Sequence, residues 1–156
     1  MRRFTNMQVL FASTLLVGAF VFSTGAVAAS PNDYRAGMPG LLQDVKTWAG
    51  DVEMTTAAAI TKPELACGAA MTDLVLRGHS IADDLAGSGQ NVPGALAASH
   101  NELTATVVRM TGAVEQACGN SAGAAQAVQA DKSAQSRAMF RISNFVNGGF
   151  GQGGSR

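Results

Sequence analysis

Only two cysteines and two histidines occur among 156 residues. So sparse a set excludes zinc sites built on paired Cys-x-x-Cys or on His-Glu-x-x-His, and neither pattern is present. Charge of either sign is scarce, with 11 basic and 11 acidic residues, which excludes the dense Lys and Arg surface that nucleic acid demands. No Asn-x-Ser/Thr sequon occurs, so N-glycosylation is not expected. Beyond Ala29 no apolar run is long enough to span a membrane. Strand signals are equally poor: alternation is rare, and Ala is everywhere.

What is present begins with an address. Arg2 and Arg3 form a basic start, and no acid follows until Asp33. From Val9 to Phe22 the chain is apolar apart from Ser13 and Thr14, and Ala26-Val27-Ala28 supplies the small residues of a cleavage site. This predicts a signal peptide over residues 1–28 and export by the general secretory route, to a secreted, periplasmic or cell-envelope location. Cleavage after Ala28 leaves 128 residues, enough for one modest core. Removing Arg2 and Arg3 leaves 9 basic residues against 11 acidic, a net of −2. In an exported chain, the even count of two cysteines reads first as a Cys67–Cys118 bridge.

The mature chain is patterned for helices. Leu41, Val45, Trp48, Val52, Thr55 and Ala59 step by four and three, one seam along a first helix. Thr61-x-x-Glu64 reads as a capping box for a second helix, with Pro63 in its first turn. The seam of that helix is Cys67, Met71, Leu74, Gly78, Ile81 and Leu85, and Gly87-Ser88-Gly89 stops it. Asn91 is the expected cap of a third helix, whose seam is Leu96, His100, Leu103, Val107, Met110, Val114 and Ala117. Ser121 is the expected cap of a fourth helix reaching Val146, Ala- and Gln-rich at first, then carrying Met139, Phe140, Ile142, Phe145 and Val146.

The expected fold class is therefore all-α: an up-down-up-down four-helix bundle over residues 38–146, after a short linker at 29–37 and before a Gly-rich flexible tail at 147–156. In an antiparallel hairpin that turns near residues 87–93, Cys67 and Cys118 meet at the far end, linking helices 2 and 3. Closing a loop of about 51 residues is worth on the order of 4 kcal/mol in the chain-entropy model. The bridge has work to do, because a core rich in Ala and Gly buries little area per side chain. Gly78 on the second seam predicts a close backbone approach.

Catalytic constellations are missing. Cys118 and His100 lie 18 residues apart on one helix, roughly 27 Å by the helical rise, and Cys67 and His79 are 12 apart, roughly 18 Å. A thiol nucleophile needs its base within hydrogen-bond reach. Gly87-Ser88-Gly89 has no preceding strand and so is no nucleophile elbow. The residue that stands out is His100, on a seam where Leu is expected. Level with it should lie Leu85, Met139 or Phe140, and Met38, defining a ligand pocket further lined by Leu41, Leu42, Leu96 and Phe145. A His and a Met among aromatics at one end of a bundle is similar in architecture to the way b562-type cytochromes hold b-type haem. The leading expectation is a non-catalytic binding or structural module with no cofactor. Its partner would be a protein, a cell surface or a small apolar ligand, with self-association open; the alternative is haem, metal or apolar-ligand carriage at His100.

Overall fold

The computed structural model describes residues 31–148. The expected signal peptide and residues 149–156 of the tail lie outside that range. Among the described residues four α-helices carry the fold: α1 Pro31–Thr61, α2 Ala69–Ser88, α3 Ala97–Glu115 and α4 Ser121–Val146. Among the described residues there is no strand. Each helix packs on two neighbours, in the cyclic order α1, α2, α3, α4.

Polar cross-links tie neighbouring helices together. The Trp48 indole donates to the Leu74 carbonyl at 2.8 Å, and Arg77 pairs with Asp51 at 2.9 Å, between α1 and α2. His79 meets Glu115 at 2.8 Å between α2 and α3, and Arg109 meets Asp131 at 2.7 Å between α3 and α4. Tyr34 touches Phe145 at one end of the α1–α4 pair, whereas Glu53 pairs with Lys132 further along it. The Tyr34–Phe145 and Glu53–Lys132 contacts set α1 and α4 antiparallel, as the Cys67–Cys118 bridge and the His100 contact with the Leu85 carbonyl do for α2 and α3.

Helix α1 begins earlier than its seam suggests. Residues 31–37 of the expected linker are helical, with Pro31 at the first position, where its missing N–H costs nothing, and Asp33 in the first turn. The helix continues through Pro39, a position that ordinarily breaks one. Its buried face runs through that position, with Tyr34 and Met38 before it at 2% and 1% exposure and Leu42 buried after it. The buried face of α1 is Tyr34, Met38, Leu42, Val45, Trp48, Val52, Thr56 and Ala59, so Leu42 and Thr56 replace the expected Leu41 and Thr55 at two steps. Thr56 is satisfied inside the core by its own helix, donating to the Val52 carbonyl at 2.7 Å.

The helix starts also differ from expectation. Thr61 donates to the Ala58 carbonyl instead of boxing with Glu64. Pro63–Cys67 forms a 3-10 turn, and extended Gly68 separates it from α2. Asn91 ends a second 3-10 turn, and α3 starts at Ala97 without a side-chain cap, because a third such turn, Gly94–Leu96, already leads the backbone into it. The cap of α4 is Asn120 rather than Ser121: its Oδ1 accepts from the Gly123 N–H at 2.9 Å.

Cys67 and Cys118 are bridged, with Cα atoms 4.6 Å apart. Each lies just outside a helix, Cys67 in the turn before α2 and Cys118 in the turn after α3, so the bridge links two connections rather than helices 2 and 3 themselves. Extended Gly68 on one side and the end of α3 at Glu115 on the other place them there.

At the middle of α2 the backbone comes close to its neighbours. An added Cβ on Gly78 would lie 2.8 Å from Trp48 Cζ2 and collide with the Thr111 hydroxyl. Gly78 thus marks a close helix approach and leaves no space for a guest. Gly112, also inside a helix, has nothing within 4 Å of the same added atom.

Two outcomes follow from this packing. Gly78→Ala should lower stability by about 1–3 kcal/mol through overpacking, whereas Gly112→Ala should leave it unchanged or raise it by up to about 1 kcal/mol. Chemical denaturation of the two variants checks the contrast, and equal effects would refute the close approach. Reducing the bridge should remove on the order of 4 kcal/mol, read as a lower denaturation midpoint with and without reductant.

Candidate functional site

The end of the bundle opposite the bridge gathers one residue from each of three helices around the terminus of the fourth. His100, in the first turn of α3, is 2% exposed. Its Nε2 lies 2.9 Å from the Leu85 carbonyl, and its Nδ1 lies 3.0 Å from the Tyr34 hydroxyl. A carbonyl only accepts, so the proton sits on Nε2, and Nδ1 accepts from Tyr34. Burial pushes the Tyr34 phenol up to about 12, which keeps that hydroxyl a neutral donor.

The Leu85 carbonyl belongs to the last turn of α2, where helix carbonyls lack intrahelical partners. It receives the Gly89 N–H, the Ser88 hydroxyl at 2.8 Å and the His100 imidazole. His100 therefore acts as a side-chain cap, joining α3 to the end of α2 while Tyr34 joins it to α1. Phe145 of α4 meets Tyr34 edge-on at 6.3 Å between centroids, and the Arg35 guanidinium lies 4.4 Å above the Phe145 ring.

Of the expected pocket residues, His100, Leu85 and Met38 are at this end and buried. Phe140 is not among them: it is 67% exposed on the outside of α4. Met139 lines a groove between α1 and α4 with Lys46, Ala49 and Gln135 instead. Helix rotation explains both, since Ala138 and Ile142 take the inward positions of α4. Leu42 and Leu96 are buried, whereas Leu41 and Phe145 are partly covered at the rim. A cleft of about 350 Å³ does open beside Tyr34, Met38 and Leu41, but His100 does not line it, and its other walls include Asp33, Asp44 and Asp84. It is an acidic surface cleft rather than an apolar pocket.

This geometry bears directly on haem or metal ligation at His100. Both ring nitrogens already have partners within the protein, and Met139 is elsewhere. His79, the other histidine, is exposed and holds Glu115. Among the described residues no group of three or more His, Cys, Asp or Glu side chains is placed to hold a metal ion. Tyr34 was missed because it falls in the expected linker. Stepping the seam back by four from Met38 would have found it.

No protein-family model, curated protein or solved structure matches this chain.

Desolvation holds the His100 imidazole below its ordinary value, partly countered by its bond to Leu85. The unfolded chain therefore binds a proton that the native state resists, and the sign follows by linkage. The stabilising contribution of neutral His100 should be complete above about pH 6.5, the ordinary histidine value, and fall as pH drops below it. Denaturation midpoints between pH 7.5 and 5.5, for the wild type and His100→Gln, test this. The wild type should lose more stability than the variant across that window; parallel slopes would refute it.

Proposed function

We propose that the mature chain is an exported binding or structural module without catalytic activity, folded as a single bundle whose histidines and cysteines serve the fold. One observation carries this reading: the histidines and cysteines that might furnish a nucleophile or base are committed elsewhere. Cys67 and Cys118 are joined, His100 caps α2, and His79 pairs with Glu115. A bridge suits an oxidising compartment. No helix among the described residues is long and apolar enough to cross a membrane. Both points agree with export behind the cleavable signal read at residues 1–28; the partner proposed is a protein, a cell surface or a small guest.

Native mass spectrometry on protein collected from the exported fraction of its own host tests this reading in one spectrum. The expected mass begins at Ala29 and lacks the two hydrogens of the bridge. The same spectrum reads oligomeric state and any retained guest. A chain found only inside the cell, with its first residues intact and both thiols free, would overturn export. Saturable turnover of any member of an ester or glycan panel would overturn the non-catalytic part.

A further inference from the structure

The inward face of α4 is built of Ala124, Ala125, Val128, Ala138 and Ile142, with a single polar exception, Gln135. That side chain is 5% exposed, and its Nε2 is buried without a hydrogen-bond partner. Leaving a buried donor unpaired costs the full desolvation of the group. Native proteins rarely carry such a group without a use for it. Among the described residues the other buried side-chain atom without a hydrogen-bond partner is Arg35 Nε, whose guanidinium lies over the Phe145 ring.

Gln135 lines a cleft of about 300 Å³ between α1 and α4, at the lower end of the roughly 300–1,000 Å³ range of ligand pockets. Its apolar walls are Met110, Val128 and Met139, two of them flexible thioethers that fit irregular guests. On the α1 side stand Ala49 and Gly50, and a Cβ built on Gly50 meets nothing within 4 Å. Besides Glu53 and Lys132, the polar residues lining it are Gln135, Lys46 and Ser136, and the Gln135 Nε2 buried beneath its wall has no partner among the described residues. The only acid in the cleft, Glu53, already accepts from Lys132 at 2.6 Å and Gln129 at 3.0 Å, which hold its carboxyl below the usual range. The cleft thus presents an apolar wall, an orphan donor and two lysines against one acid.

We propose that the α1–α4 cleft binds a small amphipathic carboxylate, its apolar body against Met110, Val128 and Met139 and its oxygens taken by the Gln135 amide and the Lys46 ammonium. A carboxylate satisfies the orphan donor and neutralises Lys46 together, which a neutral or cationic head does not do. This narrows the binding reading above to one place and one chemistry.

The test titrates the full mature chain, with its methionine methyls and side-chain amides labelled for NMR, using decanoate, decanol and decyltrimethylammonium below their micelle concentrations. Decanoate should shift the Met110 and Met139 methyls and the Gln135 amide saturably, and bind at least about tenfold tighter than decanol. Gln135→Leu should raise thermal stability yet weaken decanoate about tenfold or more. Lys46→Gln, at an exposed position that leaves the fold alone, should weaken decanoate and leave decanol unchanged. Gly50→Leu should abolish binding of both by filling the cleft. Unmoved methyls, equal affinity for decanoate and decanol, or full affinity in both Gln135→Leu and Lys46→Gln would overturn the proposal. The broader binding reading stands or falls separately, on the guest and partner masses of the exported protein.

Discussion

At Gly78 the backbone of α2 lies against the edge of the Trp48 indole and the side chain of Thr111, with no room for even a methyl group. The rest of the bundle takes its scale from that contact. Much of the core is Ala, Val and Thr, whose side chains individually remove little area from water. Such a core closes only when helices approach tightly, because an unfilled gap forfeits dispersion contacts outright. Trp48 is the largest of the fully buried side chains, and its N–H needs a partner there. It finds one in the Leu74 carbonyl, in the turn preceding Gly78.

With the middle set by close approach, the two ends are held by other means. One is covalent, at Cys67 and Cys118. The other is a relay of two hydrogen bonds, from Tyr34 through His100 to Leu85. His100 and Gln135 make an instructive pair, since both are polar residues on seams where an apolar one is expected. Both nitrogens of His100 are satisfied by neighbouring helices, which marks it as part of the scaffold. Gln135 has a buried donor without a partner among the described residues, beside a cleft that Lys46 lines. The same burial therefore carries opposite meanings, decided by whether the hydrogen bonds close within the chain.

Much of this was legible in the residues. The third helix can be read off almost whole, since Leu96, His100, Leu103, Val107, Met110, Val114 and Ala117 are all buried. The bridge follows from the even cysteine count and the hairpin register, and the tight contact at Gly78 from its seam position. Helix beginnings were harder to read, because backbone geometry competes with side-chain caps there. Pro63 and Gly94 lead 3-10 turns that displace the starts of α2 and α3, and Asn120 outcompetes Ser121 by reaching the Gly123 N–H. On α4 the apolar signal misleads: large Phe140 is outside and small Ala138 inside. In an Ala-rich helix, size is a poor guide to facing. The Gln135 site is silent in a hydropathy reading, although steps of three and four from Val128 place it on the inward face.

The bridge has a topological consequence as well as an energetic one. Along the chain, the end of α1 at Thr61 and the start of α4 at Ser121 are separated by the whole of α2 and α3. Across the disulfide the path is six residues from Thr61 to Cys67 and three from Cys118 to Ser121. Once oxidised, α1 and α4 are joined as though by a short hairpin connection, and the most remote helix pair in sequence becomes a local one. The entropy of bringing them together falls by roughly 1.5–2 kcal/mol on the logarithmic loop scale. The cleft between those two helices is thus shaped by a pairing that thiol chemistry makes short-range.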